Sequence, residues 1–320
     1  MQFIRSKLNP ILRANARQGW ESAKVYNPAA IFKDGEYILL YRAEGPDGIS
    51  RLGLAKSRNG LKFSRSPRPV VAPSGRRESQ GIEDPRLVKI KNKYLLSYTA
   101  YDGRSAKLSL AVSADFKKWQ KQGQVLSDWN LFQAGGFMVG WDQARSRQHA
   151  EWSKAGAIFP KIIGGQYWML FGDSNIWLAK SGDGLRWRAE VKPFLKPRPY
   201  FFDSAHLEAG PPPLETSKGW LVIYHGVDEK IIYRLGFLLL DKADPHKILH
   251  RSNKFILEPK QSYELWPGAD LMSGAKKIKP RVIFCCGAIL RGGLLRIYYG
   301  AGDGVICTAA LKIDKLLNQF

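Results

Sequence analysis

Five times along this chain an apolar run rises to an aromatic residue and stops at a small or polar one. The five are Tyr41-Arg42-Ala43, Tyr98-Thr99-Ala100, Phe171-Gly172-Asp173, Tyr224-His225-Gly226 and Tyr299-Gly300-Ala301, with the aromatics 57, 73, 53 and 75 residues apart. A strand-built recurrence of roughly 50 residues or more is what a β-propeller writes into its sequence. The pattern predicts an all-β chain, a five-bladed β-propeller. Such a fold gathers residues from every blade at one end of a central channel. Chemistry is therefore sought at strand ends and in the loops beside them.

The repeat has a second half. A further strand follows three of the aromatics, at Leu52–Ser57, Leu108–Ser113 and Ile176–Ser181. Each ends at Ser and turns through Arg58-Asn59-Gly60, Ala114-Asp115-Phe116 or Gly182-Asp183-Gly184 to an aromatic at one offset: Phe63, Trp119 or Trp187. Asn-Gly and Asp-Gly supply the positive φ angles that tight turns need. The fourth unit (Leu235 to Asp241, then Asp244-Pro245) and the fifth (Val305 to Leu311) keep the strand and lose the Ser–aromatic signature.

A repeat running from about residue 27 to residue 311 favours one closed body over residues 1–320 rather than two domains, with 1–26 an N-terminal extension closing onto it. No apolar run of about 18 residues suggests a membrane span, and the basic start Met1–Lys7 lacks the apolar stretch of a signal peptide. Cys285 and Cys286 in one apolar strand and Cys307 in another fit reduced, buried thiols and a cytoplasmic setting. Fifty basic against 28 acidic residues leave a net charge of +22. These cations are scattered in ones and twos, with no basic helix, zinc-ligand spacing or RNA-binding signature. They read as a surface property that concentrates anions rather than a nucleic-acid site. The irregular stretch Ser127–Ser153 is longer than a hairpin requires, and is either a surface excursion, a lid over the channel or a contact between copies in a homo-oligomer.

Two acidic clusters stand at equivalent places, each ahead of a first strand. Gly81-Ile82-Glu83-Asp84-Pro85-Arg86 sets two carboxylates beside an arginine, and Pro85 should hold Asp84 extended. Phe202-Asp203-Ser204-Ala205-His206-Leu207-Glu208 runs into Gly210-Pro211-Pro212-Pro213, a stiff backbone able to position Asp203 and Glu208. Acids arriving from two blades are what glycoside cleavage needs: one to protonate the leaving oxygen, one to activate water. Arg42, Arg51, Arg86, Lys154 and His225 could meet an anionic ligand. Tyr98, Tyr233 and other aromatics near strand ends could stack on sugar rings.

The ordered series Asn27-Pro28-Ala29-Ala30, Tyr41-Arg42-Ala43, Glu83-Asp84-Pro85-Arg86, Ser153–Pro160, Gly210–Pro213, Tyr224-His225-Gly226 and Tyr298–Asp303 resembles glycoside hydrolase family 130 nearly end to end. The resemblance implies a five-bladed propeller cleaving β-mannosides by hydrolysis or phosphorolysis, with inversion and without a metal. Asp84 would be the general acid, delivering its proton through a sugar hydroxyl. Asn27, Glu83, Asp173, Asp203, Tyr233 and Asp303 join the expected substrate-binding set.

For phosphorolysis, inorganic phosphate would be co-substrate and no other cofactor is implied; Lys154 and His225 resemble two of its cationic ligands. A third cation of many phosphorylases falls where this chain has Gly172-Asp173. In the hydrolytic branch, a Glu before the Gly-Pro-Pro run helps activate water, and Glu208 matches it. On that balance the sequence leans to an inverting glycosidase acting on manno-oligosaccharides. The alternatives are a phosphorylase releasing α-mannose 1-phosphate, and a non-catalytic propeller binding glycan or nucleic acid.

Overall fold

The computed structural model describes residues 2–137, 151–273 and 276–318. Its strands fall into successive antiparallel groups. The first group is Lys24–Lys33, Glu36–Glu44, Ser50–Ser57 and Ser64–Arg65, and the second Gly81–Ile90, Lys93–Tyr101, Ala106–Ser113 and Gln120–Gln124. The third is shorter, built from Ala157–Ile158, Tyr167–Phe171, Trp177–Ser181 and Arg188–Ala189. The fourth comprises His206–Ala209, Trp220–Val227, Ile232–Leu240 and Ile248–Arg251. The fifth, Arg281–Arg291, Leu294–Ala301 and Val305–Lys312, takes its outer strand from the other end of the chain, where Ile4 and Arg5 pair with Ala310 and Ala309.

Side chains on a strand alternate between two faces, and both faces of these groups are apolar. Each therefore packs on the group before and the group after it. One cluster joins the first and second groups through Leu40, Leu52, Ile82 and Leu96. Leu108 and Trp177 join the second and third, Leu178 and Tyr224 the third and fourth, and Leu235 and Ile297 the fourth and fifth. The last cluster returns to the start, placing Ile289 and Tyr298 against Leu39 and Tyr41.

The Ser–turn–aromatic signature has a simple cause. The Ser57, Ser113 and Ser181 hydroxyls accept the N–H three residues on, at 2.9 Å each time. Asn59, Asp115 and Asp183 accept the next two N–H groups, and the Trp119 and Trp187 indoles fold back onto the turn's own carbonyl. Asp241 forms the same kind of turn in the fourth group without the serine.

The recurring aromatics have a different task. Tyr41, Tyr98, Tyr224 and Tyr299 donate to the buried carboxylates of Glu21, Glu78, Asp203 and Glu264 at 2.7, 2.8, 2.8 and 3.0 Å. Each carboxylate is also held by a cation from an outer strand: Arg65, Lys121, Arg251 and Arg5 respectively. Hydroxyl, carboxylate and cation thus pin the segment entering each group to that group's second and outer strands. The third group carries Phe171 and lacks the hydroxyl. There, Trp129 and Trp177 pack on Phe171 and donate to the carbonyls of Trp152 and Ala134.

Candidate active site

The first strands are bulged at equivalent points. Register shifts fall between Tyr26 and Ala29, Glu83 and Arg86, and Cys285 and Gly287, opposite Tyr41, Tyr98 and Tyr299. Asn27 and Asp84 occupy the left-handed region, with φ of 46° and 48°. The extended backbone expected of Asp84 ahead of Pro85 is not what forms: the bulge takes up the extra residue and turns it inward. Hydrogen bonds hold that conformation, since Asp84 Oδ1 accepts from Asn27 Nδ2 at 2.8 Å and from Arg42 Nη1 at 3.3 Å.

These bulges, with Lys154 and Glu208 at the matching places of the third and fourth groups, open into one cavity of about 240 Å³. Its polar half is Asn27, Arg42, Glu83, Asp84, Lys154, Glu208 and Asp303; its apolar half is Ile231, Tyr233, Trp266, Leu271, Pro280, Val282 and Phe284. Arg42 organises the polar half. It bonds Glu83 at 2.8 Å, Glu44 at 3.1 Å and Ser50 at 2.8 Å, and its guanidinium lies 4.7 Å from the Tyr26 ring centre. Lys154 Nζ stands 3.4 Å from Asp173 and 3.8 Å from Glu208.

Burial and charge compete over these groups. For Asp84, burial opposes ionisation, but Arg42, Lys154 and the Asn27 hydrogen bond outweigh it and hold the carboxyl below its usual range. Burial raises Glu83 and the neighbouring Asp84 charge adds to it, against the pull of Arg42. Burial likewise pushes Asp303 up to about 7 despite Arg42. Lys154 keeps its proton firmly: burial alone would strip it, and Glu208 and Asp173 reverse the balance.

Several residues expected at the site stand elsewhere. Asp203 is fully buried in the Tyr224–Arg251 clamp, where Arg198 also reaches it at 3.1 Å. Tyr98 is spent on Glu78, and Arg51 pairs with Asp47 at 2.7 Å outside the cavity lining. Arg86 lies beneath the floor, donating to the carbonyls of Asp84, Ala209 and Gly210 at 2.7–3.0 Å. His225 is fully buried behind Phe284, stacked at 4.1 Å, and its Nε2 accepts the Cys285 N–H. Burial, with Arg86 nearby, keeps its pKa well below the ordinary value, so His225 is neutral and is no cation for an anionic ligand. Asp173 reaches the site only through Lys154. Of Ser127–Ser153, residues 138–150 lie outside the described residues.

Apart from Tyr233, the sequence reading missed the apolar half. Phe284 carried a usable signal, because Phe284-Cys285 opposes Tyr299-Gly300 as Tyr26-Asn27 opposes Tyr41-Arg42. Trp266 and Leu271 lie between the fourth and fifth groups, Leu271 in a short strand paired with Lys276–Ile278, and carried none.

A family model described as beta-1,4-mannooligosaccharide phosphorylase matches residues 5–320. The chain belongs to glycoside hydrolase family 130. It is 36% identical over 318 residues to a 1,2-beta-oligomannan phosphorylase of Thermoanaerobacter sp. (strain X514), covering 96% of each chain. It is 31% identical to a beta-1,2-mannobiose phosphorylase of the same organism, covering 98% of this chain and 99% of that one. The beta-1,2-mannobiose phosphorylase of Listeria innocua, solved with beta-1,2-mannobiose, superposes with a TM-score of 0.79 at 25% identity, covering 100% and 99% of the two chains. A structure from the work describing family 130 hydrolases that target β-1,2 mannosidic linkages in Candida mannan gives 0.81 at 27%, covering 98% and 94%. The protein is thus a family 130 enzyme.

Proposed function

We propose that this family 130 enzyme is a β-mannoside phosphorylase acting on β-1,2-linked manno-oligosaccharides, with Asp84 as general acid and inorganic phosphate as co-substrate. The whole chain is one catalytic domain, a five-bladed propeller. The cyclic sequence of apolar clusters, returning from the fifth strand group to the first, supports that closure. The observation that carries the activity is the end-to-end similarity to two β-1,2-mannoside phosphorylases at 36% and 31% identity. These relatives favour the alternative over the hydrolysis to which the sequence alone leaned.

The cavity suits the chemistry. A hydrogen phosphate oxygen bonds to C1 of the mannosyl unit from the face opposite the leaving group. The C1–O bond breaks, and its electron pair stays on the leaving oxygen. That oxygen takes a proton originating at Asp84, and the phosphate's own proton makes good the loss. The net products are mannose 1-phosphate and the shortened glycan. Arg42 and Lys154 favour the ionised form of Asp84. A bound dianion would neutralise both cations and let Asp84 take up the proton it must deliver.

Hydrolysis is the second reading. Glu208 faces the cavity where it could activate water, and Asp173 already occupies the Lys154 cation. Incubation with β-1,2- and β-1,4-mannobiose, with and without phosphate, separates the two. Mannose 1-phosphate formed only with phosphate, and preferentially from the β-1,2 substrate, is the expected result. Free mannose without phosphate would establish hydrolysis.

A further inference from the structure

Glu208 presents a chemical problem that an ion-paired loop would not. The residue is 2% exposed, yet its Oε1 has no hydrogen-bond donor among the described residues. Both nearby cations stop short of bonding distance: Lys154 Nζ at 3.8 Å and Arg86 Nη2 at 3.8 Å. Arg86 is already committed to the Ala209, Gly210 and Asp84 carbonyls. Lys154 is shared with Asp173. A buried acceptor left without a donor loses its solvation with nothing in return. Since Glu208 lines the cavity, its missing donor can be brought by a ligand.

We propose that Glu208 selects the anion that Lys154 binds, by accepting a hydrogen bond from a P–OH group. This rests on the phosphorylase reading. An anion oxygen bonded to Lys154 Nζ lies within reach of Glu208 Oε1, because Nζ and Oε1 are only 3.8 Å apart. A carboxylate oxygen can only accept. It repels a bare anion oxygen and forms a strong, charge-assisted bond to a hydroxyl on the same anion. Hydrogen phosphate has that hydroxyl. Sulfate, of similar size and shape, has none near neutral pH. The bond also orients the anion: the protonated oxygen turns to Glu208, leaving unprotonated oxygens for Lys154 and for attack at C1. Glu208 is then a specificity residue for phosphate rather than the base that activates water.

The test compares sulfate with phosphate at about pH 8, where both anions are mainly doubly charged, at constant ionic strength. Isothermal titration measures each affinity for the wild type and for Glu208→Gln, alongside the rate of mannose 1-phosphate formation by the wild type. Wild-type sulfate binding is expected to be weaker than phosphate binding by roughly 100-fold or more. An amide can donate as well as accept, so Glu208→Gln should cut that ratio by at least about tenfold, chiefly by admitting sulfate. Sulfate binding to the wild type within about threefold of phosphate would overturn the proposal, with no need for a folded variant. A ratio unchanged in a folded Glu208→Gln protein would overturn it too. If mannose 1-phosphate forms while sulfate competes equally, only the role of Glu208 falls. If phosphate neither binds nor is consumed, the phosphorylase reading falls with it.

Discussion

At the residue scale the site is a contest between burial and charge, settled differently at neighbouring carboxyl groups. Asp84→Asn keeps the hydrogen-bonding shape but carries no transferable proton. It should lower kcat by roughly a thousandfold or more, while circular dichroism and the unfolding midpoint stay near wild type. Turnover within tenfold of wild type would remove the acid assignment. Asp303 gives a pH prediction of definite sign. Burial raises its pKa from the usual carboxyl value to about 7, so between those limits the folded state binds more protons than the unfolded one. Stability from this group is present at low pH and lost as pH rises through 7. Thermal unfolding of Asp303→Asn, measured from mildly acidic to neutral pH, should therefore gain on wild type as pH rises; parallel curves would refute the shift. Arg42, Asp84 and Lys154 were legible as cavity residues because each lies in a motif that matches the family, Tyr41-Arg42-Ala43, Glu83-Asp84-Pro85-Arg86 and Ser153–Pro160. His225 holds in the fourth group the place that Arg42 holds in the first, yet Phe284 stacks over it, and Asp203, ahead of its strand, is taken by Tyr224, Arg198 and Arg251.

At the element scale the recurring unit is a strand group pinned by tyrosine hydroxyl, buried carboxylate and outer-strand cation. The aromatic repeat was visible in the sequence, but the carboxylates lie 20 to 35 residues upstream and the cations on another strand, so pairing emerges only when the group folds. Asp203 shows the consequence. Read as a substrate contact, it proves to be a clamp held by Tyr224, Arg198 and Arg251. Asp203→Asn should cost about 3 kcal/mol or more in a denaturation experiment, since removing one partner strands buried charge. The KM of the protein that remains folded should change by less than about threefold, because no cavity contact is lost. A large KM rise with unchanged stability would return Asp203 to the site. Phe171 breaks the pattern in the third group, where Trp129 and Trp177 pack on it instead.

At the scale of the whole molecule, the N-terminal residues complete the fifth strand group. Phe3 is buried in the apolar cluster between the fourth and fifth groups, Ile4 and Arg5 pair with the final long strand, and Arg5 bonds Glu264, which in turn receives Tyr299. Deleting residues 1–7 removes an apolar anchor, an outer strand and one clamp together. The expected loss exceeds about 5 kcal/mol in a urea titration, whereas deleting an unattached tail would cost nothing measurable. The net charge of +22 also acts at this scale, as a field rather than a site. Under the phosphorylase reading, kcat/KM for phosphate should fall several-fold as ionic strength rises from low to physiological values, because steering of an anion is screened. At saturating phosphate, kcat/KM for the neutral mannoside should stay flat.

The ordered series of motifs determined the family, and the sequence by itself determined the strand repeat, the turns that end its strands and the carboxylate pair of Glu83-Asp84-Pro85-Arg86. Each of these is written in residues close together in the chain, where local hydrogen bonding and alternation decide the outcome. The tertiary structure decided which face each recurring position occupies. It turned Asn27 and Asp84 inward through left-handed bulges, withdrew His225 behind Phe284, spent Asp203 on a clamp, and left one oxygen of Glu208 buried beside Lys154 without a donor. Those outcomes depend on contacts between segments tens to hundreds of residues apart, and no local pattern carries them.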